Sequence, residues 1–251
     1  MRIDKYLAEE FGSRNRVQTA IDKGLILVNG KRVAASYEVG DEDNIEILTA
    51  EESFVSAGGY KLSKALKDFK VSVKGQIFAD IGASTGGFTD CLLQNGAHKV
   101  YCIDVGESQL DESLKNKNVI IIDGFNARNL NRALFEEELD GAVIDVSFIS
   151  LTYILKSVAD VLEDGCSVFA LIKPQFECES RNVGKNGIVK DKKVRLKIIE
   201  KICLFANFVR LAPQMLTSAP IIKGKNVEYI IFLKKGAKPA DIKFLLKSIV
   251  N

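Results

Sequence analysis

A glycine-rich turn between a predicted strand and a predicted helix is the first feature of the sequence that could bind a ligand. The stretch FADIGASTGGF (78–88) contains it, with an acid placed just before the turn. A strand, a glycine turn and a helix, followed by a second strand that ends in an acid, form the ground plan of a nucleotide site. The ligand could be a dinucleotide, a nucleoside triphosphate or a nucleoside without phosphate.

The residues of the turn favour the nucleoside without phosphate. The chain contains no GxxxxGK[ST] string, which excludes a P-loop nucleotidase. A dinucleotide loop needs a glycine where Ser84 stands. Asp80, which ends the strand before the turn, would repel a pyrophosphate. It suits a ligand that carries an ammonium and a sulfonium, as S-adenosylmethionine does.

Two further acids extend this pattern over successive strands. Asp104 ends the second predicted strand, where it could accept from both ribose hydroxyls, and Asp123 follows the third, where it could accept from the adenine amino group. Three acids in register indicate an S-adenosylmethionine-dependent methyltransferase. The predicted cofactor-binding residues are Asp80, Gly82, Ser84, Gly86, Gly87, Phe88, Asp104, Asp123 and Asp145.

A lysine and a carboxylate are expected to meet where the fourth and fifth strands end. DVSFIS places Asp145 there and LIKPQFE places Lys173 beside it. A lysine at the end of an apolar strand must find a partner or lose its charge. Lys61 and Glu228 could complete a group of two lysines and two acids. Such a group suits methylation of a ribose 2′-hydroxyl, a poor nucleophile that needs orientation and a base, and either lysine could be that base.

The elements that must position these residues alternate along the chain. Strands are predicted at 76–81, 99–104, 118–122, 140–145 and 166–173, with helices between most of them, a late strand at 227–233 and a helix from Pro239. Alternating strands and helices predict an α/β fold with a doubly wound, mostly parallel sheet, the Rossmann-like fold of a class I methyltransferase.

The first 48 residues predict a separate small α+β unit. Residues 2–22 have helical periodicity with a break at which Ser13 could cap a second helix, and LILVNGKRV predicts a hairpin with an Asn29-Gly30 turn. Residues 1–37 carry seven basic and four acidic side chains, whereas residues 38–52 carry seven acids and no base. The positive charge is therefore confined to the helix pair and the hairpin.

This unit resembles the small RNA-binding module first described in ribosomal protein S-four, over RIDKYLAEEFGSRNRVQTAIDKGLILVNGKRV. The resemblance implies that the second helix and the hairpin lie against structured RNA. Basic side chains there would meet phosphates and give salt-sensitive affinity with little base readout. The predicted RNA-binding residues are Arg2, Lys5, Ser13, Arg14, Arg16, Gln18, Asn29, Gly30 and Lys31.

The chain as a whole resembles the TlyA family through SAGGYKL, DIGASTGGFTDCLLQNGAHKVYCIDVG, VIDVSFISL, LIKPQFE and VGKNGIVKD. These are bacterial rRNA 2′-O-methyltransferases, sometimes labelled hemolysins, with an FtsJ-like catalytic half. The resemblance implies S-adenosylmethionine as donor and a ribose of 16S or 23S rRNA, commonly of cytidine, as acceptor. It implies rRNA or ribosomal subunits as partner and a catalytic tetrad of Lys61, Asp145, Lys173 and Glu228.

The same resemblance divides the chain into an RNA-binding domain (1–48), a linker (49–57) and a catalytic domain (58–251). Two positions depart from the family pattern. Ala57 stands where an arginine is usual, and Glu107 replaces a tyrosine in the motif after the second strand. Both departures bear on substrate range and activity, and both leave the predicted tetrad intact.

Other classes of protein fit the sequence poorly. His98 is the single histidine and lies in a predicted helix-to-strand turn, where a solvated side chain is expected, so Ser-His-Asp chemistry and a histidine metal site are disfavoured. The five cysteines form no CxxC pair, so neither a zinc site nor a disulfide framework is expected. No stretch reaches the ~18 apolar residues that cross a bilayer and no signal peptide is recognised, so we expect a cytoplasmic protein and not a membrane-active hemolysin. An RNA-binding protein with an inactive methyltransferase half stays open. Residues 173–201, with nine basic side chains and four acids, favour an RNA partner, although a solvated helix start explains much of this charge. Gly184 and Gly187 predict a mobile loop that could close on RNA.

Overall fold

The computed structural model describes residues 1–22, 24–48, 54–115, 118–221 and 224–249. Residues 49–53 of the predicted linker lie outside the described residues. The described chain forms two sheets, one of three strands in the order β2-β1-β3 and one of seven strands in the order β6-β5-β4-β7-β8-β10-β9.

The three-stranded sheet belongs to the small N-terminal unit. Its elements are α1 (Ile3–Tyr6), α2 (Arg14–Asp22), β1 (Ile26–Val28), β2 (Lys31–Arg32) and β3 (Ile45–Ile47). The backbone amide of Arg16 donates to Ser13 Oγ (3.3 Å), so Ser13 caps α2 as predicted. Asn29 and Gly30 both have positive φ (53° and 71°), as a two-residue turn whose twist matches the strands requires.

The seven-stranded sheet is mostly parallel, as the sequence predicted. Its strands are β4 (Ile77–Ile81), β5 (Lys99–Ile103), β6 (Val119–Ile122), β7 (Gly141–Ile144), β8 (Ser167–Ile172), β9 (Leu211–Ser218) and β10 (Tyr229–Lys235). The pairs of β4 with β5 and with β7, of β5 with β6 and of β7 with β8 are parallel, and β10 pairs antiparallel with β8 and β9. Because β5 and β7 flank β4, the strand order reverses there, and a crevice opens at the carboxyl ends of these strands.

Helices cover both faces of this sheet. The helices are α3 (Ala57–Phe69), α4 (Gly87–Gln94), α5 (Leu151–Val161), α6 (Lys192–Phe208) and α7 (Ile242–Lys247). One hydrophobic core joins α3 and α4 to side chains such as Phe78 and Phe169, and the other joins α5, α6 and α7 to side chains such as Ile81 and Ile144. Because successive side chains of a strand point to opposite faces of the sheet, alternate residues pack into different cores.

Three predictions about the elements were wrong. The connections from β5 to β6 and from β6 to β7 contain short 3₁₀ turns in their described residues, not helices. The edge strand β9 was missed because Pro213 reads against a strand, although an edge strand tolerates proline. The late strand begins at Tyr229, so Glu228 precedes β10 and does not lie on it.

Around α3, the small unit contacts the part of the chain that contains the seven-stranded sheet. The Arg32 guanidinium donates to the Phe54 carbonyl, and the Tyr60 hydroxyl donates to the Gly24 carbonyl (3.3 Å). The hairpin turn lies near Pro220, between β9 and β10. The two halves are therefore joined by side-chain contacts as well as by the chain.

Two pairs of glycines allow the starts of α3 and α4 to touch. A Cβ at Gly87 would lie 2.9 Å from the Gly59 amide nitrogen and 3.1 Å from Gly58 Cα, which is closer than carbon atoms pack. The backbone of α3 therefore rests directly on the backbone that leaves the glycine turn. Because Lys61 follows two residues after Gly59, this contact sets where Lys61 lies.

We expect Gly87→Ala to destabilise the protein by about 1–3 kcal/mol, because the added methyl group must push two helix backbones apart. Gly58→Ala is the matched control, since its Cβ would meet only ordinary contacts at 3.4 Å or more. Urea unfolding of both variants measures the difference. Equal stabilities would show that the contact between α3 and α4 is not tight.

Candidate functional site

The glycine turn adopts a backbone that brings it against the end of β7. Gly82 and Gly86 have φ of 81° and 91°, and Ser84 has φ of 47°. A Cβ at Gly82 would lie 2.7 Å from the Asp145 carbonyl oxygen, so a side chain cannot be accommodated there. The turn and the residues after β7 therefore form one continuous wall.

A cavity of about 360 Å³ opens beside this wall at the carboxyl edge of the sheet. Its volume lies in the usual range for a small-molecule site. Asp104 lines it, and its two carboxylate oxygens accept from the backbone amides of Ser84 (2.9 Å) and Gly106 (2.8 Å). Its lining residues are Gly82, Ser84, Ile103, Asp104, Val105, Gln109, Phe125, Asn126, Ala127, Asp145, Val146, Ser147, Phe148, Ile149 and Ile154.

A smaller cavity of about 180 Å³ continues from the first one toward α3. Both are lined by Gly82, Ser84, Asp145 and Ser147, so they form adjoining parts of one crevice. The smaller part also contains Lys173. Predicted binding residues Gly87 and Phe88 line it as well, together with Ser56, Gly58, Ala83 and Thr85.

Lys173 and Asp145 form an ion pair in this crevice. Lys173 Nζ lies 2.6 Å from Asp145 Oδ1 and donates to Ser147 Oγ at 2.8 Å. The two charged side chains are only 11% and 19% exposed, so little water screens the attraction. An ammonium has three donors, so Lys173 retains hydrogen-bonding capacity for an acceptor in the crevice.

Lys61 and Glu228 form a second ion pair, with Lys61 Nζ 2.7 Å from Glu228 Oε2. Tyr229 is opposite Ile172 in the antiparallel register, so Glu228 comes beside Lys173 along the backbone. The four residues predicted as a group therefore form two ion pairs, one on the wall of the crevice and one behind it. Among the described lining residues of the crevice, neither Lys61 nor Glu228 occurs.

Asp80 lies inside the protein and not on the described wall of the crevice. Thr89 Oγ1 donates to Asp80 Oδ2 at 2.7 Å, and Oδ1 has no hydrogen-bond partner among the described residues. Burial raises the pKa of Asp80 to about 7. The expectation that this carboxylate faces a bound ammonium does not agree with its position, because its side chain points into the core that contains α4.

Asp123 is also absent from the lining residues that the structure describes. Its Oδ2 accepts from the Ser108 backbone amide at 2.8 Å, in the loop that follows β5. Phe125 and Asn126, two and three residues further on, line the cavity instead. The β6 end therefore contributes to the site, but not through the acid that the sequence suggested.

The predicted RNA-binding residues divide into two groups. Arg14 and Arg2 donate to Asp4, a carboxyl group that is almost completely buried, at 2.6 Å and 3.0 Å. The hydrogen bond from the Arg14 guanidinium, and to a smaller extent that from Arg2, holds the pKa of the Asp4 carboxyl below its ordinary value. The Asn29 amide is likewise engaged, since it donates to Asp43 (2.7 Å). Exposed side chains are Lys5, Ser13, Arg14, Arg16 and Gln18, while Arg2, Asn29, Gly30 and Lys31 are half-buried.

Phe148 is a residue of the site that the sequence prediction missed. It lines the larger cavity, yet its side chain is 90% exposed, and its φ of 63° is rare for a bulky residue. Its ring lies 5.0 Å from that of Phe176, in the turn after Lys173. The signal that could have found it is an aromatic residue in the short segment DVSFIS that follows β7.

Other kinds of site receive no support from the described residues. They contain no group of histidine, cysteine or acidic side chains that could hold a metal ion. Within the same ranges, no helix is long and apolar enough to span a membrane. All five cysteines are free thiols.

The fold and the crevice together define a class I methyltransferase. A model of FtsJ-like methyltransferases matches residues 54–235, and an S4 domain model matches residues 1–45. The chain belongs to the TlyA family of FtsJ-like methyltransferases that carry an S4 domain.

Two curated relatives and one solved structure illustrate this membership. Hemolysin A of Brachyspira hyodysenteriae is 43% identical over 92% of this chain and 98% of its own. The 16S/23S rRNA (cytidine-2'-O)-methyltransferase TlyA of Mycobacterium tuberculosis is 34% identical over 93% of this chain and 89% of its own. A structure from Streptococcus thermophilus, named as a hemolysin, is 35% identical, with a TM-score of 0.75 over 99% of this chain and 94% of that one.

We expect the Asp80 carboxyl to titrate near pH 7, as followed by carbonyl-carbon NMR of the labelled protein. Thr89→Val should raise its pKa further, because the Thr89 hydroxyl stabilises the ionised form. Thr85→Val, in the same turn but exposed, is the control and should leave the titration unchanged. A carboxyl that titrates near pH 4 in the folded protein would contradict the burial described here.

Proposed function

We propose that this protein transfers a methyl group from S-adenosylmethionine to the 2′-hydroxyl of a ribose in ribosomal RNA, of a cytidine as in the named relatives. The observation that carries the proposal is the Lys173–Asp145 ion pair on the wall of the crevice beside the glycine turn. The functions in the names of the relatives support the same reaction and substrate.

The larger cavity suits the nucleoside part of S-adenosylmethionine. Asp104 is fixed there by two backbone amides, and each of its oxygens keeps a second lone pair for a ribose hydroxyl. Val146, Ile149 and Phe125 offer apolar contacts for a base. When bound, the cofactor supplies an electrophilic methyl group on a positively charged sulfur.

Lys173 is the lysine that we propose to contact the reacting ribose. Its side chain lines the crevice, whereas Lys61 does not occur among the described lining residues. The ion pair with Asp145 and the hydrogen bond to Ser147 hold its ammonium group at the crevice. In its ammonium form this group donates to the 2′-oxygen and orients it for attack. In its neutral amine form it accepts the hydroxyl proton while the methyl group passes from sulfur to oxygen, so either form assists a poor nucleophile.

The Lys61–Glu228 pair serves in positioning. Gln175 Nε2 reaches Glu228 Oε1 at the long distance of 3.5 Å, which connects the second pair to the turn that follows Lys173. Loss of either charge would leave its partner buried and uncompensated, at a cost of several kcal/mol for a fully buried pair and less for this partly exposed one. We therefore infer that this pair holds α3 and the turn after β8 in place around Lys173.

Phe148 is proposed to stack on the base of the target nucleotide. An exposed aromatic ring in a strained backbone, supported by Phe176 and placed at the mouth of the cavity, has no role in the core. An enzyme that acts on one nucleotide of a folded RNA must hold it out of its stack, and an aromatic ring supplies that surface.

The small unit is proposed to place the enzyme on structured RNA through phosphates. Residues 1–48 would form this RNA-binding domain, 49–57 the linker and 58–251 the catalytic domain. The exposed side chains of Lys5 and Arg16 are available for such contacts, and Arg14 retains donors beside Asp4. An inactive catalytic half is the second candidate, favoured only by the Ala57 and Glu107 departures.

We expect Lys173→Ala to lower kcat by about 10²–10⁴, because it removes the group that orients and deprotonates the hydroxyl. The assay follows label from S-adenosylmethionine into unmodified 30S and 50S subunits, with alkaline cleavage to locate the blocked ribose. Lys64→Ala is the matched control, since Lys64 pairs with Asp68 on α3 away from the crevice. An active Lys173→Ala variant would contradict the assigned role, and a wild type that binds rRNA without labelling it would favour the inactive half.

We expect Phe148→Ala to lower kcat/KM by about 10–100-fold, because stacking on one aromatic ring is worth about 1–3 kcal/mol. Binding of S-adenosylmethionine, measured by calorimetry, should change little. Phe148→Tyr should restore most of the activity. Phe208→Ala, which removes an equally exposed ring on α6, is the control. Unchanged kcat/KM in Phe148→Ala would exclude a stacking role.

A further inference from the structure

We propose that a second RNA-binding surface lies on the loop before α6 and on the exposed side of that helix. We call it the lysine surface and define it by Lys185, Lys190, Lys193, Lys197 and Lys201. It would bind phosphates of the same RNA whose ribose enters the crevice. The proposal rests on the proposed function for the identity of that RNA.

The positive charge of the chain is concentrated in this segment. Residues 181–201 contain eight basic and two acidic side chains, a net charge of +6. The whole chain has a net charge of only +2, so the rest of the protein carries −4. A local excess of this size on a protein that is otherwise acidic indicates an anionic partner for that surface.

The helix presents its lysines on one side. Lys193, Lys197 and Lys201 are spaced by four residues and are all exposed. Consecutive members are therefore about 6 Å apart along the helix axis. The opposite side of α6, with Ile199 and Ile202, is completely buried in the core that contains α5.

Most of these lysines have no internal partner. In the described part of the chain, no carboxylate lies within ion-pair distance of Lys185, Lys190, Lys193 or Lys197. Some lysines elsewhere on the surface do have such partners, among them Lys99 with Glu137. The lysine surface thus keeps its charge available to a ligand, and it differs from single lysines without a described partner, such as Lys74, in that its lysines are concentrated in one segment.

The loop that carries Lys185 and Lys190 is held by side-chain hydrogen bonds. It therefore differs from the mobile loop that the glycines suggested. The Asn226 side chain donates to the Gly187 carbonyl and accepts from the Val189 amide, both at 2.8 Å. Arg195 donates to the carbonyls of Val189 and Lys190 and to the Tyr229 hydroxyl. A surface held in place loses less conformational entropy when a ligand binds.

These fastening contacts also place the lysine surface beside the reaction site. In the sequence, Asn226 lies two residues before Glu228 and Tyr229 directly after it. The loop follows Lys173 in the same chain segment. The helix α6 packs on one face of the large sheet, whereas α3, which contacts the small unit, packs on the other. An RNA that reaches the crevice between these faces would therefore meet basic side chains on both sides.

Phosphate, and not an anionic membrane, is the ligand class that this surface fits best. A helix that inserts at a membrane surface needs a continuous apolar face, and the main apolar face of α6 is buried in the core. Lysines without a neighbouring base-reading pocket bind the backbone of a nucleic acid with little regard to sequence.

The test is a triple variant of the full chain, Lys190→Gln, Lys193→Gln and Lys197→Gln. Its matched control, Lys74→Gln, Lys238→Gln and Lys243→Gln, removes the same charge from exposed lysines outside the lysine surface. Binding to unmodified ribosomal subunits is measured across a series of KCl concentrations, and methylation kinetics are measured in the same samples. At physiological salt we expect the triple variant to bind about tenfold more weakly, and the slope of log K against log salt to become shallower by about 2. KM should rise while kcat stays unchanged.

An affinity and salt slope equal to those of the wild type would overturn the proposal. Equal losses in the triple variant and its control would also overturn it, because net charge alone would then explain binding. Loss of binding to phosphatidylglycerol vesicles without loss of RNA binding would assign the surface to lipid instead. If the wild type methylates no rRNA but its RNA binding still depends on these lysines, the proposed function fails while the RNA-binding surface stands.

Discussion

The close contact of backbone with backbone around the glycine turn is the constraint on which the site depends. Gly82 lies against the carbonyl of Asp145, and Gly87 lies against Gly59 at the start of α3. Side chains at these positions would separate β4 from β7 and α4 from α3. The glycines thus do more than shape a ligand loop, since they also set how closely the end of β7 and the start of α3 approach the turn.

Charge is compensated differently in the two parts of the site. The Lys173–Asp145 pair is shielded from water but opens onto the crevice, and the Lys61–Glu228 pair lies behind it. A lysine held by a carboxylate and a hydroxyl keeps a fixed direction, which a mobile surface lysine does not. The same logic applies at the small unit, where buried Asp4 orients Arg14 and Arg2. In both cases an acid that is largely buried holds a cation in one position.

Much of the fold could be predicted because its signals are local. The strands β4, β5 and β7 are short apolar runs bounded by turn residues, and the Asn29-Gly30 turn has a backbone that few other sequences adopt. The Lys173–Asp145 pair followed from where two strands end, because carboxyl ends of parallel strands meet at one edge. Lys61 and Glu228 were predicted only as further members of the group, and their pairing with each other depends on the tertiary structure. The prediction of helices between most strands was wrong for the two connections between β5 and β7. It rested on the usual alternation of strands and helices in this fold class and not on the residues of those connections. Strand β9 was missed because proline argues against a strand in the interior of a sheet, whereas an edge strand tolerates Pro213.

By itself, the sequence determined the class of fold, the glycine turn, the places of the lysines and acids that form the two ion pairs, and the concentration of charge in residues 181–201. Each is a property of residue type and spacing along the chain. The tertiary structure alone decided which side each side chain faces. It turned Asp80 inward to Thr89, engaged Asp123 with the Ser108 amide, and left Phe148 exposed at the mouth of the cavity. The physical reason is that direction depends on packing between distant segments, and spacing along one strand does not record it.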